Sequence, residues 1–358
     1  MRRRPPAASL LLILGIAAAA AADGPEMFSV PPRRVTLDLP NSTLDAVAAA
    51  LGKKAGVPVE YPPAAAKEAC DGIYTDLPFW DALERAADQT GNRIAPRDGG
   101  RKIALVPRGK SRAVSAVAGP FRVVADRVTA RSALDDGTTT YEVGLTTHWE
   151  PRFPVFRIDA EPTVTIATDD RGAALTANGG RAKTNPGGAA THAATVRLAG
   201  LTRESRKIAV LQGNFTVTAS GKMLSFTFPD LAAKLPAALP EQEKVAAALR
   251  RFAKDEDTWE VEIDLTYPPT IPVFESFETW TTENRARLVA PDGTKSFAPD
   301  SHAVNAAGRK VAATYYFKED AAKGLTNPAA KGWKLVYEAP SPPVEFRVPF
   351  ELKDIPLP

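Results

Sequence analysis

The chain has 358 residues, room for two or three domains of ordinary size. Its 45 basic residues face 42 acidic ones, and Arg2, Arg3 and Arg4 fall in a leader expected to be removed. The mature chain then balances at 42 against 42 and has no electrostatic footprint for nucleic acid. The 32 prolines argue against an architecture of long helices, and the single cysteine, Cys70, excludes an internal disulfide.

Residues 1–22 read as a signal peptide: a charged start at Arg2–Arg4, an apolar run from Leu10, and small residues at Ala20, Ala21 and Ala22. The apolar run is shorter than the ~20 residues a membrane span needs. The expected location is therefore periplasmic or secreted, in the cell envelope, with no membrane span after removal of the leader.

Residues 33–108 alternate strand and helix patterns. Val35–Leu39 leads into Leu44, Val47, Ala48 and Leu51, an apolar stripe at helical spacing. Asn41, Ser42 and Thr43 offer N-caps, and Gly52 or Gly56 a C-terminal stop. Val57–Tyr61 reads as a strand. A second round follows: Ile73–Pro78, a helix carrying Phe79, Trp80, Leu83, Ala86 and Ala87, then Gly91 and a strand at Lys102–Val106, with Ile94 opening a short edge. The expected unit is βαββαβ, with two helices on one face of a small sheet.

The stretches VTLDLPNSTLDAVAAALGKKAGVPVEY and IYTDLPFWDALERAADQTGNRI resemble the secretin and TonB short N-terminal domain (STN-like). The resemblance covers about a fifth of the chain. It implies a periplasmic protein-interaction module, hence an envelope protein partner bound through this domain, and it brings no catalytic residues. Nothing downstream resembles a secretin pore or a transmembrane barrel.

Residues 109–120, rich in Lys, Arg, Ser, Ala and Gly, read as a linker. Beyond them Tyr141–Phe156 and Trp259–Phe274 align without a gap, with Glu142/Glu260, Val143/Val261, Pro151/Pro269, Pro154/Pro272, Val155/Val273 and Phe156/Phe274 identical. Chance would give about one match. Phe226–Leu231 and Phe350–Ile355 also end alike. Two tandem β-sandwich-like repeats are expected, 121–231 and 240–358, with Phe156 and Phe274 buried in equivalent places. Ala177–His192, with four glycines, reads as a mobile loop, and Asp170-Arg-Gly and Ser220-Gly as turns. Val245–Phe252 has helical spacing, but its place in the alignment matches Phe121–Val128 and predicts a strand. The fold class is thus mainly β with a small α/β N-terminal domain. VFESFETWTTENRARLVAPDGTKSF and GWKLVYEAP…VEFRVPFELKDIPLP resemble a group of secreted bacterial β-repeat proteins, which implies β-rich extracytoplasmic domains and no particular activity.

Chemistry-bearing residues form no recognisable constellation. Glu260, Glu262 and Asp264 alternate as on any strand with one wet face, rather than as a paired-carboxylate site. Asp169, Asp170 and Asp292 read as turn residues, since neither loop has the spaced acids of a calcium site. His148, His192 and His302 stand apart, with no metal-ligand spacing. Cys70 reads as a buried hydrophobe, and Trp80, Trp149, Trp259, Trp280 and Trp333 as core more than as a sugar platform. The sequons at Asn41 and Asn214 carry no weight in a bacterial protein. No catalytic, cofactor or metal residue is assigned. The sequence favours a non-enzymatic envelope protein, a docking domain plus β spacer or adhesion modules, over an extracytoplasmic ligand-binding protein, with carbohydrate as a candidate ligand, or a secreted hydrolase.

Overall fold

A computed structural model describes residues 31–109, 113–132, 135, 139–152, 154–180, 182–271 and 284–358. The protein is mainly β, with two α-helices among these residues. No described helix is long and apolar enough to cross a membrane.

The N-terminal domain runs β1 (Arg34–Leu39), α1 (Leu44–Ala55), β2 (Val59–Glu60), β3 (Gly72–Pro78), α2 (Phe79–Gln89), β4 (Asn92–Arg97) and β5 (Lys102–Pro107). The α1 stripe is buried as its spacing requires. The helix stops at Gly56, whose φ of 71° suits glycine and whose N–H reaches Gly52 O at 2.8 Å. The single sheet expected here divides in two: β1 pairs with β3, and β2, β5 and β4 form a separate three-stranded sheet. The reason is the breadth of the helices' apolar faces. α2 buries Phe79, Trp80, Ala82, Leu83, Ala86 and Ala87, an arc shared among the two sheets and, at Trp80, the chain at Pro120. The helix pair accordingly contacts both sheets.

Two β units follow. The first is built from β6 (Val114–Ala118), β7 (Phe121–Ser132), β8 (Thr139–Trp149), β9 (Val155–Asp159), β10 (Thr163–Asp169), β11 (Thr176–Asn178), β12 (Lys183–Thr184), β13 (Thr191–Ala199) and β14 (Lys207–Ala219). The second uses β15 (Met223–Phe228), β16 (Ala237–Ala238), β17 (Ala246–Asp255), β18 (Thr258–Thr266), β19 (Arg285–Val289), β20 (Ser296–Phe297), β21 (Ser301–Ala307), β22 (Lys310–Lys318) and β23 (Lys334–Pro340). The last strand is β24 (Val344–Pro356). Two of the three five-stranded sheets, one in each unit, are ordered β11-β13-β8-β7-β6 and β21-β22-β18-β17-β16; the third joins β10, β14, β9, β12 and the last strand, β24. Each of the first two carries a bulge at the corresponding point, between Ala125 and Arg127 and between Leu249 and Arg251. Ala246–Asp255 is a strand: pairing with β18 overrides the helical spacing of its alanines.

The expected boundaries at 231 and 240 do not divide the packing. β24 pairs along the whole of β14, from Lys207↔Pro356 to Ala219↔Val344. β15 pairs with β23, from Met223↔Pro340 to Phe228↔Leu335. One antiparallel register runs through both ladders, so 207–228 and 335–356 form a two-arm ribbon roughly 70 Å long at ~3.4 Å per residue. Between the ladders Pro342 and Pro343 have no N–H to give. There Ser341 N–H still donates to Lys222 O at 2.9 Å, and the Ser220 and Ser341 hydroxyls share a buried 2.8 Å hydrogen bond. Ser220-Gly221 is therefore a crossing point, not a turn. Phe346, Val348, Phe350, Leu352 and Ile355 enter the first core, while Leu224, Phe226 and Phe228 enter the second. Phe156 also packs in the second core, although Val155 and Ile158 beside it pack in the first. Phe274, its expected counterpart, lies outside the described residues. The second unit is thus inserted between β14 and β24 of the first.

The segment taken as a linker, 109–120, contains β6, which pairs with β7 and helps seat the N-terminal domain. Trp80 Nε1 donates to Pro120 O at 2.8 Å, and Arg122 Nε and Ser115 Oγ both donate to Glu84 Oε1 at 2.7 Å. The α2 helix therefore lies against the outer face of β6–β8.

Candidate functional site

The site begins where β8 stops. Pro151 cannot continue the ladder, and Glu150 just before it is only 2% exposed. Its carboxylate accepts Arg33 N–H at 2.8 Å and Arg152 Nε at 2.5 Å, and Arg152 also donates to Pro31 O. A buried charge is tolerated when paired in this way. The result straps the start of the N-terminal domain to the first β unit. The glycine-rich stretch expected to be mobile forms the opposite wall and is tied down there. Ala190 N–H donates to Gly99 O at 2.6 Å, and Ala190 O accepts Trp149 N–H at 3.1 Å. Gly100, at φ 84°, allows this approach, since a Cβ there would sit 2.8 Å from Ala190 O.

The second unit closes the third side through Met223, Asn284, Arg285, Glu338 and Pro340. Together the three units enclose a cleft of about 750 Å³. Such junctions are preferred places for ligand sites. Arg101, Arg152 and Arg285 line it, with Glu338 the acidic member. Arg152 is matched by Glu150, and Glu338 by Arg287 at 2.7 Å. Arg101 and Arg285 have no ion-pair partner among the described residues. Beneath the cleft lies a buried polar cluster: Asn284 Nδ2 donates to Tyr337 OH at 2.8 Å, and Tyr267 OH donates to Pro340 O at 2.9 Å. Burial pushes the Tyr337 hydroxyl well above its ordinary value, so the cluster stays neutral.

The structure scatters the residues weighed from sequence. Cys70 is buried, and burial pushes its thiol up to about 11, so it is no nucleophile at neutral pH. His148 is buried beside Trp80 and Thr191; burial, with Arg122 adding to it, pushes it down to about 3. His192 packs on Phe215, and burial lowers it too. His302 stacks on Tyr315 in the other unit. No group of three His, Cys, Asp or Glu able to hold a metal occurs among the described residues. Glu260 and Asp264 pair with Arg251 and Arg250 on the wet face of β18. Asp169 holds its own turn through Arg171 N–H and Ala173 N–H, and Asp292 does so through Thr294. Trp80, Trp149, Trp259 and Trp333 are buried, and Trp280 lies outside the described residues.

Sequence reasoning missed Glu150, Arg152, Arg101 and Arg285. One signal was available: Trp149-Glu150-Pro151-Arg152 combines an acid, a proline and a base at a strand end, inside the most distinctive stretch of the chain. Comparisons of the chain with protein-family models, curated proteins and solved structures return no match.

Proposed function

We propose that this is an exported, non-enzymatic binding protein of the cell envelope, whose two β units arose by duplication and whose ligand occupies the cleft between the three units. The cleft carries the reading: separate segments converge on it, and buried Glu150 fixes one wall. The shared sheet order and the matching bulges support the duplication. The titratable groups singled out from sequence do not meet in the cleft, which supports a role in binding rather than turnover. A photo-crosslinking residue at Met223, on the cleft, tests this in the exported full chain. It should trap a discrete envelope adduct that the same probe at exposed Ile166 does not. Equal labelling from both positions would reject the cleft.

A second reading has its own support. The N-terminal domain resembles a docking module, and its α2 face is already occupied by the first β unit. What it leaves open is the β1–β3 sheet, where Ile73 is 55% exposed. Under this reading Ile73→Glu abolishes partner capture while Met223 substitutions leave it unchanged.

A further inference from the structure

We infer that the cleft takes an acidic, extended peptide segment; this rests on the cleft being the binding site. The first ground is charge. With Arg152 matched by Glu150 and Glu338 bonded to Arg287, neither Arg101 nor Arg285 makes an ion pair among the described residues, and although Glu338 faces Arg285 across the ladder the charged lining stays net positive. They come from different units, Arg101 beside the Gly99–Gly100 turn and Arg285 at the start of β19. A ligand reaching both must span the cleft. Guanidinium is the side chain best suited to bind carboxylate bidentately.

The second ground is the rest of the wall. Pro151, Pro154, Met223 and Pro340 add apolar surface to the same lining. A chain alternating carboxylate and apolar side chains, as an extended peptide does, matches both features. A glycan site would gain most from an exposed aromatic face to stack on, beyond its charge pairing. The described tryptophans are all buried, and Trp149 underlies the cleft with its ring covered.

The test is titration of the mature full-length protein with three fluorescent probes: Glu-Leu-Glu-Leu-Glu-Leu, the same hexapeptide with Gln for Glu, and polygalacturonate. The acidic peptide should bind saturably, weaken with added salt, and lose at least tenfold in affinity in the Arg101→Gln/Arg285→Gln variant. That variant's thermal unfolding should be little changed, because both side chains are exposed and neither makes an ion pair among the described residues. Equal binding of the glutamine peptide overturns the charge argument and leaves the cleft standing. Binding of polygalacturonate in place of the acidic peptide overturns the peptide class. Affinity for the acidic peptide that survives the double substitution overturns the assignment of the two arginines. If no probe binds and Met223 traps nothing, the cleft itself is rejected with it.

Discussion

The sheets β11-β13-β8-β7-β6 and β21-β22-β18-β17-β16 share a strand order but differ in what covers them. In the second unit, β18 alternates cleanly, with Trp259, Val261, Ile263 and Leu265 buried and Glu260, Glu262 and Asp264 half-buried on the wet face. In the first unit the same alternation fails at the end of β8, where Thr147, His148, Trp149 and Glu150 are all buried. The cause is α2: Trp80 and Glu84 lie over the outer face and bury Arg122, Val124 and His148. A strand's polar periodicity therefore records what lies on its second face as well as its first. The unit that deviates from period two is the one with a neighbour.

The ribbon is where this comparison breaks most severely. A chain ending at Pro343 loses Phe346, Val348, Phe350, Leu352 and Ile355 from the first core and leaves β14 an open edge. At about 1.5–3 kcal/mol per buried side chain the loss is roughly 7–15 kcal/mol, the scale of a whole domain's stability. The first unit should unfold, seen as loss of amide protection in β8 and β13, while β18 and β22 keep theirs. Protection retained across β8 would show that β24 is dispensable.

Single truncations sharpen the exchange. Phe350→Ala and Phe226→Ala should each cost about 3–5 kcal/mol, since both rings are buried. The locations should be crossed with respect to sequence. Phe350, late in the chain, should loosen β8 and β13, and Phe226, just after β14, should loosen β18 and β22. Hydrogen exchange resolves the two, and loosening confined to sequence neighbours would contradict the exchange.

The covered face can be uncovered more gently. Trp80→Phe keeps an aromatic ring but removes the indole N–H that reaches Pro120 O. Pro120 O still accepts Glu150 N–H, so the loss is that of one ordinary hydrogen bond, about 0.5–1.5 kcal/mol. Protease sensitivity should rise around 109–120 without a change in the second unit.

Much of the fold was legible in the sequence because local periodicity reports local burial. The α1 stripe, the alternation of β18 and the strand at Ala246–Asp255 all follow from spacing and alignment. The partner of β24 was not legible, because VPFELKDIP states that a strand exists and which face is apolar, not which sheet receives it. Pro342-Pro343 marks a break in the ladder, which a turn would equally produce. The cleft was hidden for a related reason. Arg101 and Arg285 are 184 positions apart, and only the docking of Gly99–Gly100 on Ala190 and the crossing of the ribbon bring them to one cleft.

A further expected effect separates the units by pH. His148 is neutral in the fold, pushed down to about 3 by its burial and Arg122, and burial lowers His192 as well; both lie in the first unit. Unfolded histidine titrates near ~6.5. As pH falls below that value the unfolded chain binds protons that the folded unit refuses, so stability falls by up to about 1.4 kcal/mol per pH unit for His148. The loss continues toward the folded value near 3, and the histidines act first because the ordinary carboxylate range near ~4 is entered only at the lower end of the window from pH 6.5 to about 4.5. The second unit has just His302, stacked on Tyr315 at its surface. Its buried tyrosines act at the other extreme. Tyr315 is pushed up to about 12 by burial, and burial raises Tyr267 and Tyr337 too. Their stabilisation is complete below the unfolded value near ~10 and is lost as pH rises toward the folded one. Mild acid should therefore loosen β8 and β13 first, and alkali β18 and β22 first. His148→Asn should flatten the acid limb of the first unit, leaving a remnant from His192, and should leave the alkaline limb of the second unchanged. Parallel loss of protection in both units between pH 6.5 and 4.5 would mean that the ribbon couples them too tightly to respond apart.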